Sequence, residues 1–218
     1  MPTFEMQDIP EGMNTGWTIE IDGKKTEVRR IRLTSKWGEW NYGLRPEGYG
    51  SWAYREANGG GVITIPWVRT KEGDILIGLI AENRPNIDEK PVWCAIGGHV
   101  NAGESAAQAE AREREEEAAI EKSIKAKPIA GLPINPNRLF FITGPFKNDG
   151  VKAFGLELPF SLLEEDLHSA CRAWKLREQN LGLKGESQLR FFLWRYAIAQ
   201  TPDALALAGI SQLLANVL

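Results

Sequence analysis

Three glutamates near the middle of the chain share one face of a predicted helix. Glu113, Glu116 and Glu117 stand at positions i, i+3 and i+4 within AREREEEAAI, a spacing that brings their carboxylates together on a helix. Like charges at this spacing repel, and no lysine lies among them. A hard divalent cation would neutralise them, because Mg²⁺ prefers carboxylate oxygens shared with substrate phosphates. The spacing therefore predicts a Mg²⁺ site, with Mn²⁺ as a second possible ion.

An acidic helix is more often a solvated surface than a metal site, so the residues before it decide the interpretation. Arg112 lies four residues before Glu116, within reach of an ion pair. Glu104 lies where a glycine-containing loop enters the helix, and a carboxylate there can accept hydrogen bonds from free backbone N–H groups. We expect these two residues to orient the site and not to react.

The segment from Gly98 to Ile120 resembles the Nudix box, the signature motif of a family of metal-dependent hydrolases. The positions that agree with this motif are Gly98, Glu104, Arg112, Glu113, Glu116, Glu117 and Ile120. Two positions differ: Arg114 replaces an aliphatic residue, and Ala119 replaces the glycine that ends the helix. The first change predicts that Arg114 reaches solvent or a carboxylate such as Glu110. The second predicts a helix that continues past its usual end.

The resemblance implies roles for individual residues. It makes Glu113, Glu116 and Glu117 metal ligands and catalytic carboxylates, and it adds the Gly97 carbonyl as a further metal ligand. It gives Gly98, Glu104 and Arg112 a supporting role in the loop. Metal ions in this chemistry polarise a diphosphate and lower the pKa of a bound water.

A weaker resemblance concerns the substrate. ILIGLIAENRP followed by VWCAIGGHV is similar to the branch of ADP-ribose pyrophosphatases and nucleoside diphosphate sugar hydrolases. It implies that Arg84 binds the diphosphate of a small nucleotide, that Glu82 is a second substrate-binding residue, and that the products are a nucleoside monophosphate and a sugar phosphate. The alternatives are a nucleoside triphosphate or dinucleoside polyphosphate substrate, or a Nudix-fold sensor that binds a nucleotide without cutting it.

The general base of this branch lies outside the box, on the loop after the strand that corresponds to RLFFITGPF, and NDGVKAFGLELP is similar to that loop and its following strand. That places Asp149 at the base position, although the branch has a glutamate there. Asn-Asp-Gly is also ordinary turn chemistry, so a turn-forming role for Asp149 stays open. Glu157 and Glu164 are the substitutes.

The remaining elements are predicted from periodicity and turn residues. Asp22-Gly23 predicts a hairpin between WTIEI and KTEVRRIRL, and residues 35–56 are interpreted as a packed connection at a subunit interface. A helix is predicted from Ser105 to Glu121. Further strands are predicted at VITIPWV, ILIGLIAEN, VWCAIGGHV, RLFFITGPF and VKAFGLELP, and further helices at SLLEEDLHSACRAWKLRE, ESQLRFFLWRYAIAQ and PDALALAGISQLLANVL.

These elements predict an α+β fold, and the resemblance makes it the Nudix α/β/α sandwich with a mixed sheet. Residues 1–57 are assigned to a β-rich N-terminal extension, 58–200 to the hydrolase domain and 201–218 to a C-terminal helix. In the branch that the chain resembles, such an extension helps to form a dimer. We therefore expect a homodimer.

Composition limits the partners and the location. A net charge of −3 and a pI near 5.6 give no footprint for nucleic acid or an anionic membrane. The sequence contains no leader-like start and no apolar run of about 18 residues, so a cytoplasmic protein is expected. Cys94 and Cys171 lack CxxC spacing and are predicted to be buried thiols.

Overall fold

A computed structural model describes most of the chain. The described residues are 3–6, 18–21, 23–27, 31–36, 38–44, 50–56, 60–84, 90–129, 150–169, 171–177 and 188–218. No helix in these ranges is long and apolar enough to cross a lipid bilayer. Cys94 is buried as predicted, whereas Cys171 is half-buried, and both thiols are free.

The described residues of the N-terminal part of the chain form six strands. The strands are β1 (Thr3–Met6), β2 (Thr18–Ile21), β3 (Lys24–Glu27), β4 (Ile31–Ser35), β5 (Gly38–Leu44) and β6 (Gly50–Glu56). Four of them form an antiparallel sheet in the order β1-β4-β5-β6, and β2 pairs with β3. The predicted hairpin is confirmed, with Gly23 at φ 76° in its turn.

Two N-terminal predictions are wrong. The single strand predicted for KTEVRRIRL is two strands, β3 and β4, which belong to different sheets. The packed connection predicted for 35–56 contains β5 and β6, paired antiparallel with Tyr42 opposite Trp52. Trp40, Tyr42 and Leu44 recur at every second position, which is the strand period. The glycines and the proline of the segment interrupt the hydrophobic pattern, so the sequence alone did not indicate strands there.

At the centre of the molecule, the described residues form a mixed sheet of nine strands. Its strands are β7 (Gly61–Arg69), β8 (Ile75–Glu82), β9 (Val92–Cys94), β10 (Ile96–His99), β11 (Lys127–Pro128), β12 (Lys152–Glu157), β13 (Leu163–Glu165), β14 (Trp174–Leu176) and β15 (Leu189–Leu193). The main path runs β11-β12-β7-β8-β15-β14-β13, while β10 pairs with β7 and β9 with β8. Strand β12 runs parallel to β7, and the other pairs are antiparallel.

Helices cover both faces of this sheet. They are α1 (Ala106–Ala118), α2 (Trp194–Gln200) and α3 (Ala204–Val217). Along β7, Ile63 and Ile65 pack in one core with Ile210 of α3, whereas Val62 packs in another with Ala109 of α1. Alternate side chains of a strand point to opposite faces, so β7 is buried between two helical layers. The predicted α+β fold, a mixed sheet between helices, is confirmed.

Two predicted helices in the C-terminal third are wrong. SLLEEDLHSACRAWKLRE contains β13 and β14. ESQLRFFLWRYAIAQ is divided between β15 and α2, because β15 pairs with β8 along its whole length. Phe191 and Phe192 are both fully buried on opposite faces, and a strand buried on both faces loses the alternation that distinguishes it from a helix. The predicted C-terminal helix is confirmed as α3, and RLFFITGPF lies outside the described residues.

Candidate active site

The N-terminus of α1 is fixed by a capping box. The Ser105 hydroxyl accepts a hydrogen bond from the Gln108 backbone N–H at 3.3 Å, and the Gln108 side chain accepts one from the Ser105 N–H at 2.9 Å. These bonds satisfy two N–H groups that the first helical turn leaves free. The helix therefore starts at a defined residue, which sets the direction of every carboxylate on it.

The predicted helix is confirmed, but it does not run past Ala118. Ala119 adopts the left-handed conformation, with φ 55° and ψ 26°. This is the conformation for which glycine is normally selected at a helix C-terminus. The predicted extension of the helix is therefore wrong: the backbone turns as a glycine would turn it, at a cost in strain.

Replacing Ala119 with glycine is expected to raise the free energy of unfolding by about 0.5–1 kcal/mol. The relief of left-handed strain exceeds the added entropy of the unfolded chain. Urea unfolding measures the change. The control Ala118→Gly, in the last helical position, is expected to destabilise by about 1–2 kcal/mol, because it loses both helix propensity and a fully buried methyl group. A less stable Ala119→Gly variant would refute the account.

Arg112 connects the loop to the acidic face of α1. Its guanidinium donates to both oxygens of Glu104 at 3.0 Å and to the His99 carbonyl at 3.0 Å. It also donates to Glu113 at 2.6 Å, and Glu116 lies 3.5 Å away. The hydrogen bonds from Arg112 and from the Asn101 N–H lower the pKa of Glu104 to about 2. One cation thus holds three carboxylates in fixed positions.

Glu117 faces the strand that precedes the loop. Its carboxylate accepts a hydrogen bond from the Gly97 N–H at 2.9 Å. Burial, together with the smaller effect of the nearby Glu82 and Glu113 carboxylates, raises the pKa of Glu117 to about 7, against the lowering effect of the Gly97 N–H and Arg84. A desolvated anion among like charges is the environment that a bound cation relieves.

Gly97 and Gly98, the two glycines of β10, allow this close approach. A Cβ atom at Gly97 would overlap the Val62 carbonyl oxygen on β7, and one at Gly98 would overlap the Glu113 carboxylate. Gly97 is therefore required by the pairing of β10 with β7, whereas Gly98 leaves space for a functional side chain. Alanine at position 98 would displace Glu113.

Without metal, Glu117→Gln is expected to make the protein more stable at pH 8 and to have little effect at pH 5. The folded pKa of Glu117 lies above its unfolded value of about 4.5, so its contribution to stability is present below pH 4.5 and lost as the pH rises through 7. Allowing for solvent screening, the loss is about 1–2 kcal/mol. Chemical unfolding in EDTA at both pH values measures it. An equal effect at both pH values would contradict the prediction.

Glu82 ends β8, Arg84 follows two residues later, and both lie near Glu117. Arg84 donates to Glu82 at 2.5 Å, and its side chain is 53% exposed. Arg84 lines a cavity of about 430 Å³ together with Gly97, Gly98 and His99. A partly exposed arginine therefore stands at the edge of a cavity that Gly97 and Gly98 of β10 also line.

The structure brings together most of the predicted site residues. Glu113, Glu117, Gly97, Gly98, Glu104 and Arg112 are linked by the contacts above, and Glu116 lies at the exposed margin with 59% of its side chain accessible. In the part of the chain that the structure describes, no three His, Cys, Asp or Glu side chains already converge as a metal-binding group. Instead, Arg112 donates a hydrogen bond to Glu113, and the Gly97 N–H donates one to Glu117.

The predicted general base is not placed by the structure, because Asp149 lies outside the described residues. Its two substitutes lie elsewhere. Glu157 lines a separate groove with Trp67 and Leu158, and it is five residues along β12 from the position opposite Val62, about 16 Å away at strand rise. Glu164, on β13, lies 3.4 Å from Lys175. Neither can serve this cavity.

Sequence reasoning missed two features of the site. Cys94 lies in the cavity wall, and the first turn of α3, beginning at Asp203, forms another part of it. The sequence predicted Glu110 as one possible partner of Arg114, but it did not predict that the Thr64 hydroxyl also donates to this buried carboxylate. Asp203 follows Pro202 immediately before an apolar helix, and that N-cap signal was available in the sequence.

Comparison with known proteins gave solved structures only. No family model matches the sequence, and no curated protein matches it. The chain is similar to a mutT/nudix family protein from Listeria innocua, with 21% identity over 73% of this chain and 94% of that one, and a TM-score of 0.46. It is also similar to the C. elegans Ap4A hydrolase, with 17% identity, 73% and 98% coverage and a TM-score of 0.45. The E. coli dihydroneopterin triphosphate pyrophosphohydrolase gives 16%, 73%, 97% and 0.43.

Proposed function

We propose that this chain is a Nudix-type enzyme that hydrolyses a phosphoric anhydride bond of a small nucleotide, with a divalent metal ion as cofactor. The observation that carries the proposal is the position of Glu117. It is desolvated, held by the Gly97 N–H and close to Glu82 and Glu113, beside a cavity that Arg84 enters. Such an anionic cluster needs a cation, and a diphosphate between cation and arginine completes the charge balance.

The donor set suits Mg²⁺ or Mn²⁺. All the candidate ligands are oxygens: the carboxylates of Glu113, Glu116 and Glu117 and the Gly97 carbonyl. Oxygen donors with room for water favour Mg²⁺ over softer metals. When bound, the metal would polarise the anhydride and make a water molecule more acidic.

The residues of the chain do the positioning. Glu113 and Glu116, which now contact Arg112, would be the carboxylates that hold the cation, and Arg112 would keep Glu104 and the His99 carbonyl in place through its other contacts. Arg84 neutralises a diphosphate oxygen at the cavity edge. A carboxylate then accepts the proton of the attacking water, and Asp149 is our candidate for that role.

We propose a nucleoside diphosphate sugar such as ADP-ribose as the substrate class, on the basis of AENRP and of Arg84 in the cavity wall. Nucleoside triphosphates and dinucleoside polyphosphates share the same anhydride and are the rival substrates. We also propose a homodimer formed through residues 1–57. Light scattering tests this, because a particle of one chain mass would refute it.

The test is a substrate panel with Mg²⁺, Mn²⁺ or EDTA. ADP-ribose and nucleotide sugars are assayed by phosphate release after a coupled phosphatase, and triphosphates and dinucleoside polyphosphates by chromatography of the products. We expect turnover that EDTA abolishes and that is highest for a diphosphate sugar. Turnover of triphosphates alone would overturn the substrate class. Nucleotide binding without product formation would favour a nucleotide sensor over an enzyme.

A further inference from the structure

The start of the C-terminal helix forms a wall of the cavity next to the carboxylates. Residues 202–205 lie at this wall, and Arg84 with Gly97 and Gly98 of β10 also lines the cavity. The surface between them is mostly apolar, with Val62, Ile63, Val92, Ala95 and Val151. A ligand whose anionic part meets Arg84 therefore places the rest of its body against apolar side chains and the start of α3.

Asp203 fixes this wall to the sheet. One carboxylate oxygen accepts the Leu205 N–H at 2.9 Å and caps α3. The other accepts the Ala95 N–H at 3.2 Å, at the break between β9 and β10. Thr201 adds a second link, since its hydroxyl donates to the Trp93 carbonyl at 2.7 Å and accepts the Asp203 N–H at 3.1 Å. The first turn of α3 is thus hydrogen-bonded to the break between β9 and β10, shortly before Gly97 and Gly98.

The body of α3 cannot move toward the sheet. A Cβ atom at Gly209 would lie 2.7 Å from the Ile63 side chain of β7, so the helix already packs as closely as a glycine permits. Ile63 also lines the cavity. The start of the helix is held separately, by the hydrogen bond that Asp203 accepts from the Ala95 N–H.

We propose that Asp203 is a positioning residue that sets the width of this cavity, and that the cavity holds the organic group joined to the anhydride. The inference rests on the proposed function and extends it to the part of the substrate that is not hydrolysed. The volume of about 430 Å³ lies in the range of small-molecule sites. Its apolar lining fits a planar ring of a nucleoside better than a second charged group.

Asp203→Asn separates the two bonds of this residue. Asparagine caps helices as well as aspartate, but its amide would direct N–H toward the Ala95 N–H. We expect the KM for ADP-ribose to rise about 5- to 10-fold with kcat within about twofold of wild type, as for a lost binding contact. The Mn²⁺ concentration for half-maximal activity should not change, because no proposed metal ligand is altered.

The matched control is Ile210→Val, which trims a fully buried side chain of the same helix away from the cavity. An unchanged KM is expected for it. An equal increase of KM in both variants would mean that Asp203 only stabilises α3 and has no specific role in the cavity, which contradicts the proposal. An unchanged KM in Asp203→Asn would also overturn it.

If the wild type turns over no substrate, the proposed function fails and the cavity is tested by binding alone. Calorimetry with AMP then compares the wild type with Asp203→Asn. AMP binding that is about fivefold or more weaker in the variant would support the role of Asp203 in positioning the cavity wall. Equal affinity, or no AMP binding by the wild type, would overturn it.

Discussion

Exchanging Glu117 for glutamine is expected to lower metal-dependent turnover about 10³-fold, which corresponds to about 4 kcal/mol of lost stabilisation of the transition state. The substitution removes a negative charge from the cluster with Glu82 and Glu113, where burial makes that charge most effective toward a cation. Glutamine keeps an oxygen that can accept the Gly97 N–H. The loss is therefore one of charge and not of packing, and steady-state kinetics at saturating substrate measures it.

Glu115→Gln is the matched control, on the same helix and with the same chemical change. Glu115 is half-exposed, and its carboxylate lies 2.7 Å from Lys122, outside the set of contacts made by Arg112. Its turnover should stay within about twofold of wild type. Equal losses in both variants would show that the helix as a whole, and not the Glu117 carboxylate, supports activity. Full activity of Glu117→Gln would remove it from the metal site.

The Mn²⁺ requirement gives an independent reading of the same variant. If Glu117 binds the ion, Glu117→Gln needs about 10- to 100-fold more Mn²⁺ for half-maximal effect. In the absence of metal the variant is expected to be at least as stable as wild type at neutral pH, because it lacks the buried charge. Low activity with normal metal affinity would point instead to a role for Glu117 in proton transfer.

The sequence was sufficient where local chemistry dominates. The capping residues and carboxylate spacing of α1, the buried strands β7 and β8, and the apolar stripe of α3 each follow from a few neighbouring residues. It was insufficient where distant partners decide. β15 looks helical until its pairing with β8 buries both Phe191 and Phe192. Ala119 is left-handed only because the chain must turn into the next segment.

In the site, too, neighbouring residues determine some features and distant partners determine the others. The spacing of Glu113, Glu116 and Glu117 predicted one acidic face, yet nothing in it predicted that the Gly97 N–H would hold Glu117 or that Arg112 would span three carboxylates. These contacts depend on β10 pairing with β7, which brings the loop over the helix. The wall formed by α3 is likewise invisible to motif spacing, because about a hundred residues separate it from the loop.

Arg114→Ala is expected to lower the free energy of unfolding by about 3–5 kcal/mol, the usual cost of breaking a buried ion pair by removing one partner. Arg114 is 1% exposed and donates to Glu110 at 2.7 Å. It also donates to the backbone carbonyls of Glu121 and Ile124, at 2.5 and 2.7 Å. Alanine leaves a buried carboxylate unpaired by charge and removes the donors of the segment that follows α1. For a protein stable by about 5–15 kcal/mol, this is a large fraction.

A double-mutant cycle separates the ion pair from the rest of that network. Arg114→Met keeps the volume of the stem, and Glu110→Gln keeps the acceptor for the Thr64 hydroxyl, which lies 3.1 Å from Glu110. We expect each single change to destabilise strongly and the pair to cost about 2–3 kcal/mol less than their sum, because the second change no longer strands a charge. Additive losses would mean that Arg114 acts through the carbonyls alone. In that case Arg114→Met with native Glu110 would be no less stable than the double variant.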